Sequence, residues 1–293
     1  MRSTLATLLV LCAVTLSLGC ATTKRREIKT VDDLYAQAVD DLKNGLYTEA
    51  LDGFEQIKAR FAYSKYAPLA DLRIADTYYE RDSYIEAIDG YRNFLKYHPT
   101  HAEAPYAMYR VGYCYKKQMP QDAWFLPPSA EKDQATTKLA ISAYRDMLAR
   151  YPSSEYAEKA KEELDACRRH LADHEMYVAR FYFKREKWLA SAGRAEGILS
   201  DYPGLGLDAE ALWIAGSARF YTQDLPAARA HLNRLEEEFK GTGEAGRAAT
   251  VLAQMNKPRL KEKNPDGKTP RGKDIGDPAM NPVGSGGRGG EGG

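Results

Sequence analysis

The stretch from residue 171 to 203, LADHEMYVARFYFKREKWLASAGRAEGILSDYP, shows the pattern that organises the chain. Tyr177, Val178, Phe181 and Tyr182 recur at helical spacing and predict an amphipathic helix over about Glu175–Arg185. Glu186 and Lys187 make a short polar corner. A second helix runs from Trp188 to Asp201 with Ala195, Ile198 and Leu199 on one side. It stops at Tyr202-Pro203, because the residue before a proline is pushed out of helical geometry. No strand signal interrupts the pair. Ala179 on the first helix and Ser191, twelve positions later on the second, are small enough for the two helices to cross closely.

The same unit recurs. In the first repeat Leu34, Tyr35, Ala38 and Leu42 make helix A, Asn44-Gly45 the corner, and Tyr47 to Arg60 helix B. In the second, Leu72, Ala75 and Tyr79 make helix A, Asp82-Ser83 the corner, and Tyr84 to Tyr97 helix B, ended by His98-Pro99. The last repeat spans Ala211 to Phe239. Small residues pair twelve apart at Ala38 and Ala50, Ala75 and Ala87, Ala179 and Ser191, and Gly216 and Ala228. An aromatic residue stops each helix B: Phe61, Tyr97, Tyr151, Tyr202 and Phe239. The first two units are offset by 37 residues, as are the last two. Helix–turn–helix units with this small-residue and aromatic signature resemble the tetratricopeptide repeat, whose usual period is about 34.

The third repeat is interrupted. Tyr106, Tyr109, Gly112 and Tyr115 form its helix A, and Thr137, Ala140, Tyr144 and Leu148 its helix B. The insert between them, QMPQDAWFLPPSAEKDQ, carries Trp124 and Phe125. A further helix between Ser154 and Leu171, with Ala157, Ala160, Leu164, Cys167 and Leu171 as its apolar stripe, is expected to join helix A of repeat four as one rod. Periodicity fades after Leu252. The remaining tail is rich in Lys, Pro and Gly, with eight basic against five acidic residues from Lys257 onward, and its composition predicts disorder.

Composition changes this picture in a few places. The chain has 42 Lys and Arg against 41 Asp and Glu, a net charge of +1, which argues against nucleic acid as the partner. Twenty tyrosines supply apolar bodies with polar tips, suited to helix seams and groove linings. At the N-terminus, Arg2 precedes an apolar run from Leu5 to Leu18, and Gly19-Cys20 follows. This reads as a bacterial lipoprotein signal over residues 1–19, with acyl chains on Cys20; Ser17 stands where the usual box has leucine. Ala21 in place of an aspartate after the cysteine favours the periplasmic face of the outer membrane. Residues 20–31 are then a lipid-anchored tether. Cys114 and Cys167 lie on different predicted helices and read as single buried thiols on helix seams.

Candidate chemistry is sparse. Cys167, His170 and His174 could share a helix face, but no fourth metal ligand is evident, and ordinary packing accounts for them. No nucleophile motif, phosphate loop or C-x-x-C occurs, so neither an enzyme nor a cofactor is expected. Stacked helical hairpins instead offer an extended surface to polypeptides.

The lipoprotein cysteine, five such repeats, the insert in repeat three and the run from Tyr151 to Pro203 together resemble the BamD (ComL/YfiO-like) family of outer-membrane β-barrel assembly lipoproteins. The resemblance covers roughly Asp32 to Phe239. It implies a non-enzymatic adaptor that joins the POTRA domains of the barrel protein BamA and other lipoproteins of the BAM complex, and whose N-terminal repeats recognise unfolded outer-membrane proteins. The family's Arg-x-Glu-Gly element on helix B of repeat four falls on Arg194, Glu196 and Gly197, which the resemblance assigns to the BamA-facing surface. Its Arg-Tyr-Pro-Phe-Gly-Pro-Tyr turn falls on Arg60-Phe61-Ala62-Tyr63-Ser64-Lys65-Tyr66, without the prolines or the glycine. That alignment implies a substrate-peptide site at Arg60, Tyr63 and Tyr66.

The expectation is therefore an all-α tetratricopeptide-repeat solenoid of five helical hairpins plus one linking helix, over residues 32–252, followed by a disordered tail over 253–293. A periplasmic repeat scaffold for cell-envelope or Tol-Pal coordination is the alternative. It predicts a trimerising coiled coil before the repeats, for which residues 21–31 are too short.

Overall fold

The computed structural model describes residues 30–122 and 128–256. The expected signal segment, the acylated Cys20, most of the tether, Trp124 and Phe125, and the tail beyond Asn256 lie outside these residues. Among the described residues all regular structure is helical. In chain order the helices are α1 (Val31–Lys43), α2 (Tyr47–Arg60), α3 (Ala67–Glu80), α4 (Tyr84–Tyr97), α5 (Ala104–Lys117), α6 (Ala135–Arg150), α7 (Ala157–Lys184), α8 (Trp188–Asp201), α9 (Asp208–Tyr221), α10 (Leu225–Glu238) and α11 (Gly243–Asn256). One 3-10 turn, Ser129–Glu131, interrupts the insert. Consecutive helices pair as hairpins of the tetratricopeptide kind.

The hairpin corners share one backbone device. Gly45, Asp82, Glu186 and Gln223 all adopt positive φ, at 74°, 58°, 57° and 63°. A left-handed residue reverses the chain in the least space, and an L side chain there costs about 1–2 kcal/mol that glycine avoids. Only the first corner uses glycine. The helices also start and stop as their sequences dictate. Thr30 caps α1 by accepting a hydrogen bond from the Asp33 amide at 3.1 Å, with Asp32 and Asp33 in the first turn and Lys43 in the last. Pro68, Pro105 and Pro226 sit in the first turns of α3, α5 and α10, where the missing N–H would be unpaired in any case.

Two compact units form. The first comprises residues up to Met119 together with Leu139–Leu164. Its core contains two clusters. Leu34, Ala38, Ala50, Phe54, Ile57 and Ala70 seal α1 and α2 to α3. Leu72, Ala75, Ala87, Tyr91, Phe94, Ala107 and Cys114 seal α3 and α4 to α5. The small-residue pairs do what their spacing predicts, and the closest approach is one helical turn further on. A Cβ on Gly53 would meet that of Ala38 at 2.8 Å, and one on Gly90 would meet that of Ala75 at 2.8 Å.

The second unit holds residues 120–138 and those from Asp165 onward. Ala172, Met176, Ala179, Ala195, Ile198, Leu212, Ile214, Leu232 and Leu235 form its core. Ser191 replaces an alanine in the seam and donates its hydroxyl to the Ala179 carbonyl at 2.9 Å, so the small pair is also a hydrogen-bonded one. The expected linking helix and helix A of repeat four are indeed a single 28-residue helix, α7. Helix α11, which the repeat alignment does not include, packs on α9 and α10 through Ala248, Val251 and Leu252.

Cys114 and Cys167 are both buried, and neither is in a disulfide. Burial pushes the Cys114 thiol up to about 12. Among the described residues no three metal-ligating side chains converge at the Cys167–His170–His174 face. Cys167 is buried in packing, and His174 donates from Nδ1 to the Ala130 carbonyl at 2.7 Å, which pins the insert to α7. Tyr177 does the same, donating to the Glu131 carboxylate at 2.5 Å.

Candidate binding surfaces

Three surfaces carry the residues of interest. In the first unit, α1, α3 and α5 line an open cavity of about 560 Å³, edged by Leu42, Lys43, Tyr47, Glu80, Tyr106 and Arg110. Its wall is built around Asp76, a nearly buried carboxylate in the middle of α3. Tyr91 and Tyr106 donate their hydroxyls to one of its oxygens at 2.5 and 2.8 Å, and Arg73 pairs with the other. Burial, with Asp76 alongside, pushes the Tyr91 phenol well above its ordinary value, so it stays a hydrogen-bond donor. Arg110 lies 3.6 Å from the centre of the Tyr79 ring and donates to the Tyr91 hydroxyl at 3.1 Å. The result is a wall of interlocked tyrosines and arginines. Arg110 shows an aromatic-backed guanidinium toward the cavity, a group suited to carboxylates and peptide carbonyls.

The α8 surface of the second unit is different. Leu189, Gly193 and Gly197 recur every four residues and so fall on one face. With Glu175, Tyr182, Ala190, Arg194 and Tyr202 they line an open cavity of about 480 Å³. Apart from the adjacent residues and the backbone of α8 itself, no described atom lies within 4 Å of a Cβ built on Gly193 or Gly197, and Leu189 is 66% exposed. Arg194 is exposed and donates to the Glu175 carboxylate at 2.7 Å. Glu196, although only two residues away, points elsewhere, because i and i+2 do not share a helix face. Its two oxygens each take a 2.7 Å bond from Arg219, and His231 donates to one of them at 3.2 Å. Hydrogen bonds from Arg219, then the charges of Arg219 and His231, hold Glu196 below the ordinary carboxylate range against the effect of burial. Of the pair expected on the partner-facing surface, Arg194 lies on the open face, and Glu196 ties α8 to α9 and α10.

The third surface is the turn between α2 and α3. Tyr66 is held: its hydroxyl donates to Asp32 at 2.7 Å, and its ring stacks on Tyr35 with centroids 4.6 Å apart. Arg60 is exposed at the end of α2, and Tyr63 projects with a relative exposure of 106%. The three residues expected as a peptide site share one turn, but only two of them face solvent. Sequence reasoning passed over Asp76 and Arg110, the centre of the first-unit wall. The one signal for them was the density of tyrosines in residues 78–115.

Comparison with known proteins supplies the family. Residues 27–242 match the family model YfiO, described as an outer membrane lipoprotein. A protein of Caulobacter vibrioides named outer membrane protein assembly factor BamD is 31% identical over 215 residues, covering 72% of this chain and 67% of that one. The protein of the same name from Neisseria gonorrhoeae is 31% identical over 213 residues, covering 71% and 78%. That from Pasteurella multocida is 26% identical over 243 residues, covering 82% and 90%. With hairpins, corners and helix stops in place across the matched span, the chain belongs to the YfiO family of outer membrane lipoproteins.

Proposed function

We propose that the protein is a lipid-anchored periplasmic adaptor for outer-membrane β-barrel assembly, which joins BamA through the α8 face and receives unfolded outer-membrane proteins on the first unit. Its relatives are named as assembly factors for outer-membrane proteins, which supports the process. The observation that carries the surface is the bare face of α8. Glycine inside a helix costs about 0.5–1 kcal/mol relative to alanine. Gly193 and Gly197 occupy such positions with no neighbour among the described residues to require them. A partner backbone lying along that face requires them, and Arg194, whose planar fork can leave Glu175 for a partner carboxylate, sets its register.

For the unfolded substrate, the α1–α3–α5 cavity offers walls, a guanidinium and aromatic faces together. The turn at Arg60, Tyr63 and Tyr66 offers a ring without walls, since a side chain exposed at 106% touches nothing around it. The cavity is therefore the better seat for a peptide. Anchoring rests on Cys20. Among the described residues no helix is long and apolar enough to cross a membrane.

The test is association with a POTRA fragment of BamA. The wild-type chain should capture it, and Arg194→Glu should weaken capture at least tenfold, with thermal unfolding unchanged to within about 0.5 kcal/mol, as for other surface charges. Equal capture by the variant removes Arg194 from the interface. Cys20→Ala should release the protein from membranes, and retention there would refute the lipid anchor.

A further inference from the structure

The α2–α3 turn is fastened to the point where the tether enters the fold. Tyr66 bonds Asp32 and stacks on Tyr35, and Lys65 reaches Asp32 at 3.6 Å, so both residues bind the first turns of α1. Two backbone hydrogen bonds, from Ser64 to the Phe61 carbonyl at 2.9 Å and from Ala67 to the Ser64 carbonyl at 3.1 Å, hold the turn in shape. What this clamp leaves outward is Arg60, Phe61 and Tyr63, beside Lys65, whose ammonium is held by Asp32. All four are exposed, and Tyr63 completely so. A ring that protrudes with nothing beside it cannot be half of a groove. It suits a partner that deforms around it, as the headgroup region of a bilayer does around tyrosine.

The chain outside the described residues fits that partner. Cys20 lies eleven residues before Val31, a reach of at most about 40 Å for a fully extended segment. Thr30 enters α1 in extended geometry, with φ −134° and ψ 166°. Between Cys20 and Thr30 stand Lys24, Arg25, Arg26 and Lys29 against one acid, Glu27. The tether sequence and the turn thus both carry basic residues, and each basic residue near an anionic leaflet adds attraction that fades within a Debye length.

We propose that the α2–α3 turn seats on the phospholipid surface that carries the lipid anchor, with Phe61 and Tyr63 in the headgroup layer and Arg60 on a lipid phosphate. This rests on acylation at Cys20. The contact fixes the orientation of α1 against the membrane, where the tether alone would leave it free to swing.

The experiment uses the full acylated chain in vesicles of phosphatidylethanolamine and phosphatidylglycerol at three to one. An environment-sensitive fluorophore is placed at Tyr63→Cys, and in a second protein at Tyr97→Cys, an equally open position 67% exposed at the end of α4. Buried Cys114 and Cys167 stay unlabelled. Brominated lipid should quench the label at position 63 at least threefold more than at position 97, and raising salt from 50 to 500 mM should reduce the difference. No quenching at position 63, or equal quenching at both, overturns the proposal while co-flotation of the protein with vesicles leaves the anchor standing. Failure to float overturns both. If a C-terminal outer-membrane-protein peptide shields position 63 and lipid does not, the turn is a peptide site and the lipid contact is refuted.

Discussion

The wall of the first-unit cavity and the bare face of α8 use the same hairpin to opposite ends. Around Asp76, side chains from α3, α4 and α5 interlock until nearly every polar atom has a partner. Along Leu189, Gly193 and Gly197, side chains are small or project into solvent. The first is a preformed, chemically dense wall whose shape is held by its own network. The second is an exposed stretch of helix that another backbone can approach closely. The repeat scaffold supplies position in both cases, and side-chain volume decides whether a surface is finished within the chain or left for a partner.

The largest way to break this contrast is Asp76→Ala. It strands Arg73 and the hydroxyls of Tyr91 and Tyr106 without their shared acceptor. Removing one partner of a buried charged network costs about 3–5 kcal/mol. Urea unfolding of the first unit should shift by about that amount, and peptide capture should fall with it. Loss under 1 kcal/mol would mean that the network does not hold the wall. The next is a pair of equal substitutions on equivalent B helices. Gly53→Ala places a methyl group 2.8 Å from the Ala38 Cβ and should destabilise by about 1–3 kcal/mol, as overpacking does. Gly193→Ala meets nothing and should stabilise by about 0.5–1 kcal/mol through helix propensity, while weakening association with the POTRA fragment. If Gly193→Ala leaves association intact, the bare face is not where a partner lies.

The smallest effect concerns pH. Glu196 titrates below its ordinary value of 4.5 in the folded chain, so its bonds to Arg219 and His231 contribute fully above 4.5 and are lost as pH falls through the lower folded value. The stability gap between wild type and Glu196→Gln should persist from pH 7 to 5 and close only below 4.5. A gap that closes above pH 5 would contradict the depressed carboxylate.

Helix bounds were legible because each depends on a local signal. Tyr47–Arg60, Tyr84–Tyr97 and Trp188–Asp201 follow from apolar spacing, a corner before and an aromatic stop after. The seams were legible from small residues twelve apart. Asp76 was not, because an aspartate inside an amphipathic helix reads as solvent-facing until tyrosines 15 and 30 residues away close over it. Glu196 was assigned with Arg194 because motifs run along sequence, whereas a helix turns two residues to opposite sides. The anchoring of the insert by His174 and Tyr177 depends on residues more than 40 positions apart and leaves no local trace.

The two thiols carry a consequence for the life of the molecule. Inside their helix seams Cys114 and Cys167 are out of reach of oxidants, and the raised Cys114 leaves almost no thiolate at neutral pH. In the periplasmic placement proposed above, which is oxidising, that shelter is conditional. A chain that opens there exposes two sulfurs with no native disulfide to return to. They can then be cross-linked to each other or to a neighbour, and a brief opening becomes permanent damage.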